Sequence, residues 1–183
     1  MSGKIKAYYL TEKCQDDNEE GIVEDNQKMT TNEELLKAKP EDFEYDMQSV
    51  TLIGHSGPIT CFDLNYDDKY LLSGSVDCTI RLWDLQLGTC MAEYKAHVRT
   101  IWCLEFCPRG FHFASGGAEN VIFVWATNKQ FPLLNLIGHI NDVTQVRFTQ
   151  NLSYLCSCSM DKTFRIWNLD DGSLVRILFF DEV

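Results

Sequence analysis

Serine, histidine and an acidic residue recur together three times in this sequence, the raw material of nucleophilic catalysis. The trios are His55, Ser73 and Asp77, then His97, Ser115 and Glu119, then His139, Ser157 and Asp161. A hydrolase needs an exposed serine oxygen against an imidazole, an acid behind it and an oxyanion hole beside it. Here the trio repeats at a fixed interval, as one catalytic centre would not, and no G-x-S-x-G elbow presents any of the serines. The residues therefore predict no enzyme and no catalytic residue.

The interval carries the information instead. Trp83, Trp125 and Trp167 are 42 residues apart, as are the three histidines, the three serines and the acidic positions 77, 119 and 161. A period of about 40–45 with a Gly-His start and a Trp-Asp end is the WD-repeat pattern, four strands to a propeller blade. Gly54-His55 to Trp83-Asp84 shows both ends, and Gly138-His139 to Trp167-Asn168 a close variant. The predicted fold is all-β: three four-stranded antiparallel blades forming an open arc, with repeats at about 54–95, 96–137 and 138–180. Propellers close with about four to eight blades, so the expectation is a part of a longer propeller whose end blades expose apolar faces.

Inner strands are expected at 58–64, 100–106 and 142–148, second strands at 70–74, 111–116 and 153–158. Third strands follow at 79–85, 121–126 and 163–169, and outer strands at 89–94, 132–137 and 174–179. Turn residues separate them: Tyr66-Asp67-Asp68, Pro108-Arg109-Gly110 and Asp170-Asp171-Gly172. Residues 48–53 read as the outer strand of a preceding blade, Gly116-Gly117 as a tight turn, and His112 as a surface strand residue. In this frame His, Ser, Asp and Trp form one buried hydrogen-bonded set per blade: His55–Ser73–Asp77–Trp83 and His139–Ser157–Asp161–Trp167. The middle set, His97–Ser115–Glu119–Trp125, carries a longer acid that puts the same geometry in question. Arg99, Trp102, Asn141 and Met160 fall near the loops at one end of the blades and are the candidate partner contacts, Trp and Arg being frequent interface anchors.

Residues 1–46 hold 13 acidic and 6 basic side chains and read as an acidic, largely flexible segment, with a short helix at 32–39 capped by Thr31 and ended by Pro40. Net charge is −11 overall and no run of Lys or Arg supplies a basic patch, so direct nucleic-acid binding is not expected. No apolar stretch is long enough for a membrane helix, and the N-terminus has no apolar signal core. The eight cysteines include no CxxC pair and read as reduced thiols in strands. No metal, cofactor or small-molecule substrate is expected.

Trp125-Ala126-Thr127, with Asn141-Asp142-Val143-Thr144 and Arg147-Phe148, sharpens the assignment. With Gly54-His55-Ser56-Gly57-Pro58, Arg81-Leu82-Trp83, Pro108-Arg109-Gly110 and Val175-Arg176-Ile177, these segments resemble the WD-repeat family of TBP-associated factor five, over about residues 48–178. That resemblance implies a nuclear scaffold for RNA polymerase II transcription. The implied complex is TFIID or, for a paralogue, a histone acetyltransferase coactivator, and the implied partners are histone-fold TBP-associated factors. The family's LisH and helical domains have no counterpart in these residues. An adaptor of another assembly, such as a ubiquitin-ligase substrate receptor or a vesicle coat, is the alternative.

Overall fold

The computed structural model describes residues 4–12 and 45–180, with side chains from residue 50 onward. The helix expected at 32–39 and most of the acidic segment lie outside the described residues. Two strands at the N-terminal side, β1 (Lys4–Glu12) and β2 (Tyr45–Ile53), pair as a two-stranded sheet. The outer-strand reading of 48–53 falls inside β2, whereas β1 lies in the 1–46 segment expected to be largely flexible.

Twelve further strands make three blades, each a four-stranded antiparallel meander. The first is β3 (Ile59–Leu64), β4 (Tyr70–Ser75), β5 (Ile80–Asp84) and β6 (Thr89–Tyr94). The second is β7 (Ile101–Phe106), β8 (His112–Gly117), β9 (Val121–Ala126) and β10 (Leu134–Ile137). The third is β11 (Val143–Phe148), β12 (Tyr154–Ser159), β13 (Thr163–Asn168) and β14 (Leu174–Phe179). All twelve fall where the repeat put them, shifted by a residue or two at their ends, and the described residues contain no helix. The arc is open: the sheets follow one another without closing into a ring.

Alternation within each strand sends apolar side chains into the seams between neighbouring blades. Leu72, Leu82 and Tyr94 of the first blade meet Ile101, Leu104, Phe106, Phe113 and Trp125 of the second. Ala114, Val124 and Leu136 of the second meet Val143, Val146, Leu155 and Trp167 of the third. Gly116 belongs to β8 and not to a turn: a Cβ there would lie 2.6 Å from Val143 Cγ1, so the glycine is what lets the next blade approach. Gly74 does the same for Ile101. A carboxylate also crosses each seam, Asp63 accepting from the Phe106 N–H at 2.7 Å and Glu105 from the Phe148 N–H at 2.5 Å.

The outer faces of the arc lack this cover. Phe62 and Leu64 are 65% and 38% exposed, while their repeat equivalents Leu104 and Phe106 are 8% and 6%. On the far face the third blade carries Cys158 and Arg147 where the first two carry the seam glycine and the seam carboxylate.

Candidate functional site

Each blade brings its histidine, serine, acid and tryptophan together across the sheet. The histidine sits in the loop before the inner strand, the serine at the centre of the second strand, the tryptophan on the third and the acid in the turn between them. In the first blade the Trp83 indole N–H donates to Ser73 Oγ at 2.8 Å, and Ser73 Oγ lies 2.8 Å from His55 Nε2. His55 Nδ1 is 2.9 Å from Asp77 Oδ2. A neutral imidazole satisfies the whole series, with the serine hydroxyl donating to Nε2 and Nδ1–H to the carboxylate. The third blade repeats it: Trp167 to Ser157 at 2.9 Å, Ser157 to His139 at 2.7 Å, His139 to Asp161 at 2.8 Å. These side chains are buried, so losing one partner leaves the others unpaired in a dry interior at a cost of about 1–3 kcal/mol.

The acids do more than hold the imidazole. Asp77 accepts from the backbone N–H and hydroxyl of Thr79 at 2.9 and 2.7 Å and from the Ser56 N–H at 2.9 Å. Burial raises its carboxyl pKa, but these donors and His55 outweigh burial and hold it well below the usual carboxylate range. Asp161 is held low by the same balance. In the middle blade the longer Glu119 does reach His97, while its other oxygen accepts from both loop N–H groups, Val98 at 2.7 Å and Arg99 at 3.0 Å. Val121 stands where the flanking blades have threonine, so no hydroxyl joins this set. Burial drives His97 down to about 3, and it lowers His139 as well, against the opposing pull of Asp161.

This arrangement is poor ground for catalysis. Ser73 and Ser115 are 0% exposed, and each oxygen already meets an indole and an imidazole. No substrate carbonyl can reach such an oxygen without unpacking the blade.

The histidine loops lie at one end of the arc, and side chains there are open to solvent. All four residues read from the sequence as contacts are exposed there: Arg99, Trp102, Asn141 and Met160. Trp102 is placed by a break in register between Ile101 and Cys103, a β-bulge that frees its side chain from the seam. Its indole donates to Asp142 Oδ2 at 3.0 Å, which ties it to the next blade's loop, and the Met160 N–H closes onto the Asp142 carbonyl at 2.9 Å. Sequence reading missed Val98 and Ile140, which are 79% and 80% exposed. Each follows a loop histidine where the first blade has Ser56, and an apolar residue at that loop position was the signal available. This end of the blades therefore exposes four large apolar side chains, Val98, Trp102, Ile140 and Met160, beside the polar Arg99 and Asn141.

Comparison with known proteins agrees with this geometry. Residues 47–84, 88–126 and 130–168, together more than half the chain, match the family model described as WD domain, G-beta repeat. The chain is 29% identical over 136 residues to transcription initiation factor TFIID subunit 5 of Caenorhabditis elegans, covering 74% of this chain and 21% of that protein. It is 35% identical over 132 residues to nuclear distribution protein nudF of Aspergillus niger, covering 70% of this chain and 30% of that one. Among solved structures the WD40 repeats of RRP9 superpose with a TM-score of 0.67 at 28% identity, over 70% of this chain and 41% of the other. The chain thus spans well under half the length of these relatives.

Proposed function

The chain belongs to the WD domain, G-beta repeat family, and from that premise we propose that it is a protein-interaction scaffold of RNA polymerase II transcription initiation. It acts in the nucleus within TFIID or a related histone acetyltransferase coactivator complex. The observation that carries this reading is the similarity to TFIID subunit 5, together with the Trp125-Ala126-Thr127 and Asp142-Val143-Thr144 segments. The physical support is a stiff stack of sheets whose loops are fastened by buried hydrogen bonds, so that the backbone carrying Arg99, Trp102, Asn141 and Met160 needs no ordering at binding. Their partners are histone-fold TBP-associated factors, bound through protein contacts and not through nucleic acid.

Co-expression of the full chain with a histone-fold pair of TBP-associated factors tests this. A stoichiometric complex is expected on gel filtration, weakened tenfold or more by Trp102→Ala combined with Met160→Ala. Absence of a complex at tens of micromolar sinks the transcription reading. A second reading, an adaptor in another WD-repeat assembly, draws on the higher identity to nudF. Imaging of the tagged chain separates the two: nuclear exclusion favours the adaptor.

A further inference from the structure

The two seams are not closed to the same degree. At the first, Tyr94 sets its ring edge-on to Phe113 and Trp125, at 4.9 and 5.6 Å between centroids, and its hydroxyl donates to the Thr127 carbonyl at 2.8 Å. One repeat later Leu136 stands at the position of Tyr94, and Leu169 at that of Thr127. A leucine ends well short of where a tyrosine hydroxyl reaches. Likewise Tyr70, packed against the first seam, is replaced by His112, which is exposed.

The second seam, where His112 and Leu169 replace Tyr70 and Thr127, opens into a cavity of about 580 Å³ at the end of the blades away from the histidine loops. Val124, Leu134, Phe148 and Leu169 line it, and Arg109, His112 and Asp170 stand at its mouth. A smaller hollow of about 280 Å³ shares Phe111 and His112 with it, so the two flank one exposed aromatic residue. Phe111 is 71% exposed.

We propose that this cavity docks a short acidic peptide of a partner protein, which seats a large apolar side chain between the second and third blades and sets a carboxylate against Arg109. The volume lies within the roughly 300–1,000 Å³ of ligand pockets and exceeds what one side chain fills. Its inner wall of Val124, Leu134, Phe148 and Leu169 is apolar, as an anchor residue requires. The charge at its mouth selects the flank. Arg109 makes no ion pair among the described residues and stands out on a chain of net charge −11, while the exposed His112 beside it makes no side-chain hydrogen bond and is free to donate or accept one. Asp170 across the mouth favours a neutral or basic residue on the other side of the anchor.

Displayed random peptides selected against the full chain, followed by fluorescence polarisation with the selected synthetic peptides, test the site. The selected sequences should share a Leu, Met or aromatic residue next to Asp or Glu. Arg109→Glu should weaken them tenfold or more and Phe111→Ala several-fold. Both residues are exposed, so the thermal unfolding midpoint should stay unchanged. Trp102→Ala, at the opposite end, should leave peptide affinity as it was, which separates this site from the scaffold surface. Enrichment without an acidic residue, or affinities indifferent to both Arg109→Glu and Phe111→Ala, overturns the proposal. So does equal competition by a synthetic peptide of residues 15–26, which makes the chain's own acidic segment the occupant. Peptide-sensitive self-association in sedimentation likewise makes the occupant a second copy.

Discussion

The middle blade and the two that flank it share one repeat but are held together differently. At the positions two apart on the turn and third strand, the first blade has Asp77, Thr79 and Arg81 and the third has Asp161, Thr163 and Arg165. The middle blade has Glu119, Val121 and Phe123. In the flanking blades the threonine hydroxyl joins the acid, and an arginine lies over the tryptophan at 6.0 Å. In the middle blade Phe123 and His97 meet edge to face with ring centroids 4.8 Å apart, and Phe113 stacks on Trp125 at 5.7 Å. A blade covered on both faces takes its stability from aromatic packing and can give up part of the polar network. Blades covered on one face keep the network whole.

If packing dominates in the middle, cutting it there should cost most. Tyr94→Leu makes the first seam copy the second. It removes the ring contacts with Phe113 and Trp125 and the hydrogen bond to Thr127, and should destabilise by about 2–4 kcal/mol. Urea unfolding measures this, and an unchanged midpoint would show that the second seam loses nothing by having leucine.

Acid should sharpen the same contrast. His97, driven by burial to about 3, takes up its proton in the unfolded chain near 6.5 but not in the fold. Its contribution is therefore complete above about pH 6.5 and is lost as pH falls toward 3, amounting to roughly 2 kcal/mol at pH 5. His139 adds in the same direction. Asp77 and Asp161, held low, contribute above about pH 3.8 and lose that contribution only below it. Unfolding midpoints recorded from pH 7 to pH 5 should fall, and His97→Asn should flatten the slope by about one proton, near 1.4 kcal/mol per pH unit.

The repeat made most of this architecture readable, because four residue types kept one spacing and side-chain alternation then fixed which faces meet. What stayed hidden depends on contacts between blades. Gly116-Gly117 resembles a turn in sequence and instead ends strand β8, where Val143 presses on Gly116 and the Thr100 carbonyl on Gly117. Tyr94 and Leu136 are both apolar seam residues by pattern, and only the structure shows the Tyr94 phenol reaching the Thr127 carbonyl across the first seam. Trp102 was legible as a loop-end residue, but the bulge that turns it outward leaves no mark in composition. Strand β1 lay outside the period, within a segment read by its acidic composition.

Glu119→Asp tests whether the middle set is a matched alternative or a worn copy. The shorter acid gives up one or both loop N–H groups and finds no threonine hydroxyl, a cost of about 1 kcal/mol. Adding Val121→Thr should return most of it, because the pair rebuilds the contacts that Asp77 makes with Thr79. A double-mutant cycle by thermal unfolding reads the coupling. Purely additive effects would mean that the substitutions at 119 and 121 are independent.

The smallest difference lies in the backbone of the turn beside the acid. Cys78, Asn120 and Lys162 occupy the same repeat position, with φ of 65°, 66° and 64°. That left-handed conformation costs an ordinary residue about 1–2 kcal/mol and asparagine less. Only the middle blade meets it with a suitable side chain. In Cys78 the thiol lies 3.6 Å from the Val76 carbonyl, a weak contact that offsets little of the strain. Cys78→Gly relieves the strain and gives back about 0.5–1 kcal/mol through the looser unfolded chain. The net gain should be about 0.5 kcal/mol, a rise of about 1–2 °C in Tm. Asn120→Gly, with no such strain to relieve, should give no gain. Equal responses at the two positions would mean that the turn strain is shared evenly, and that the middle blade differs from its neighbours only in its network and its packing.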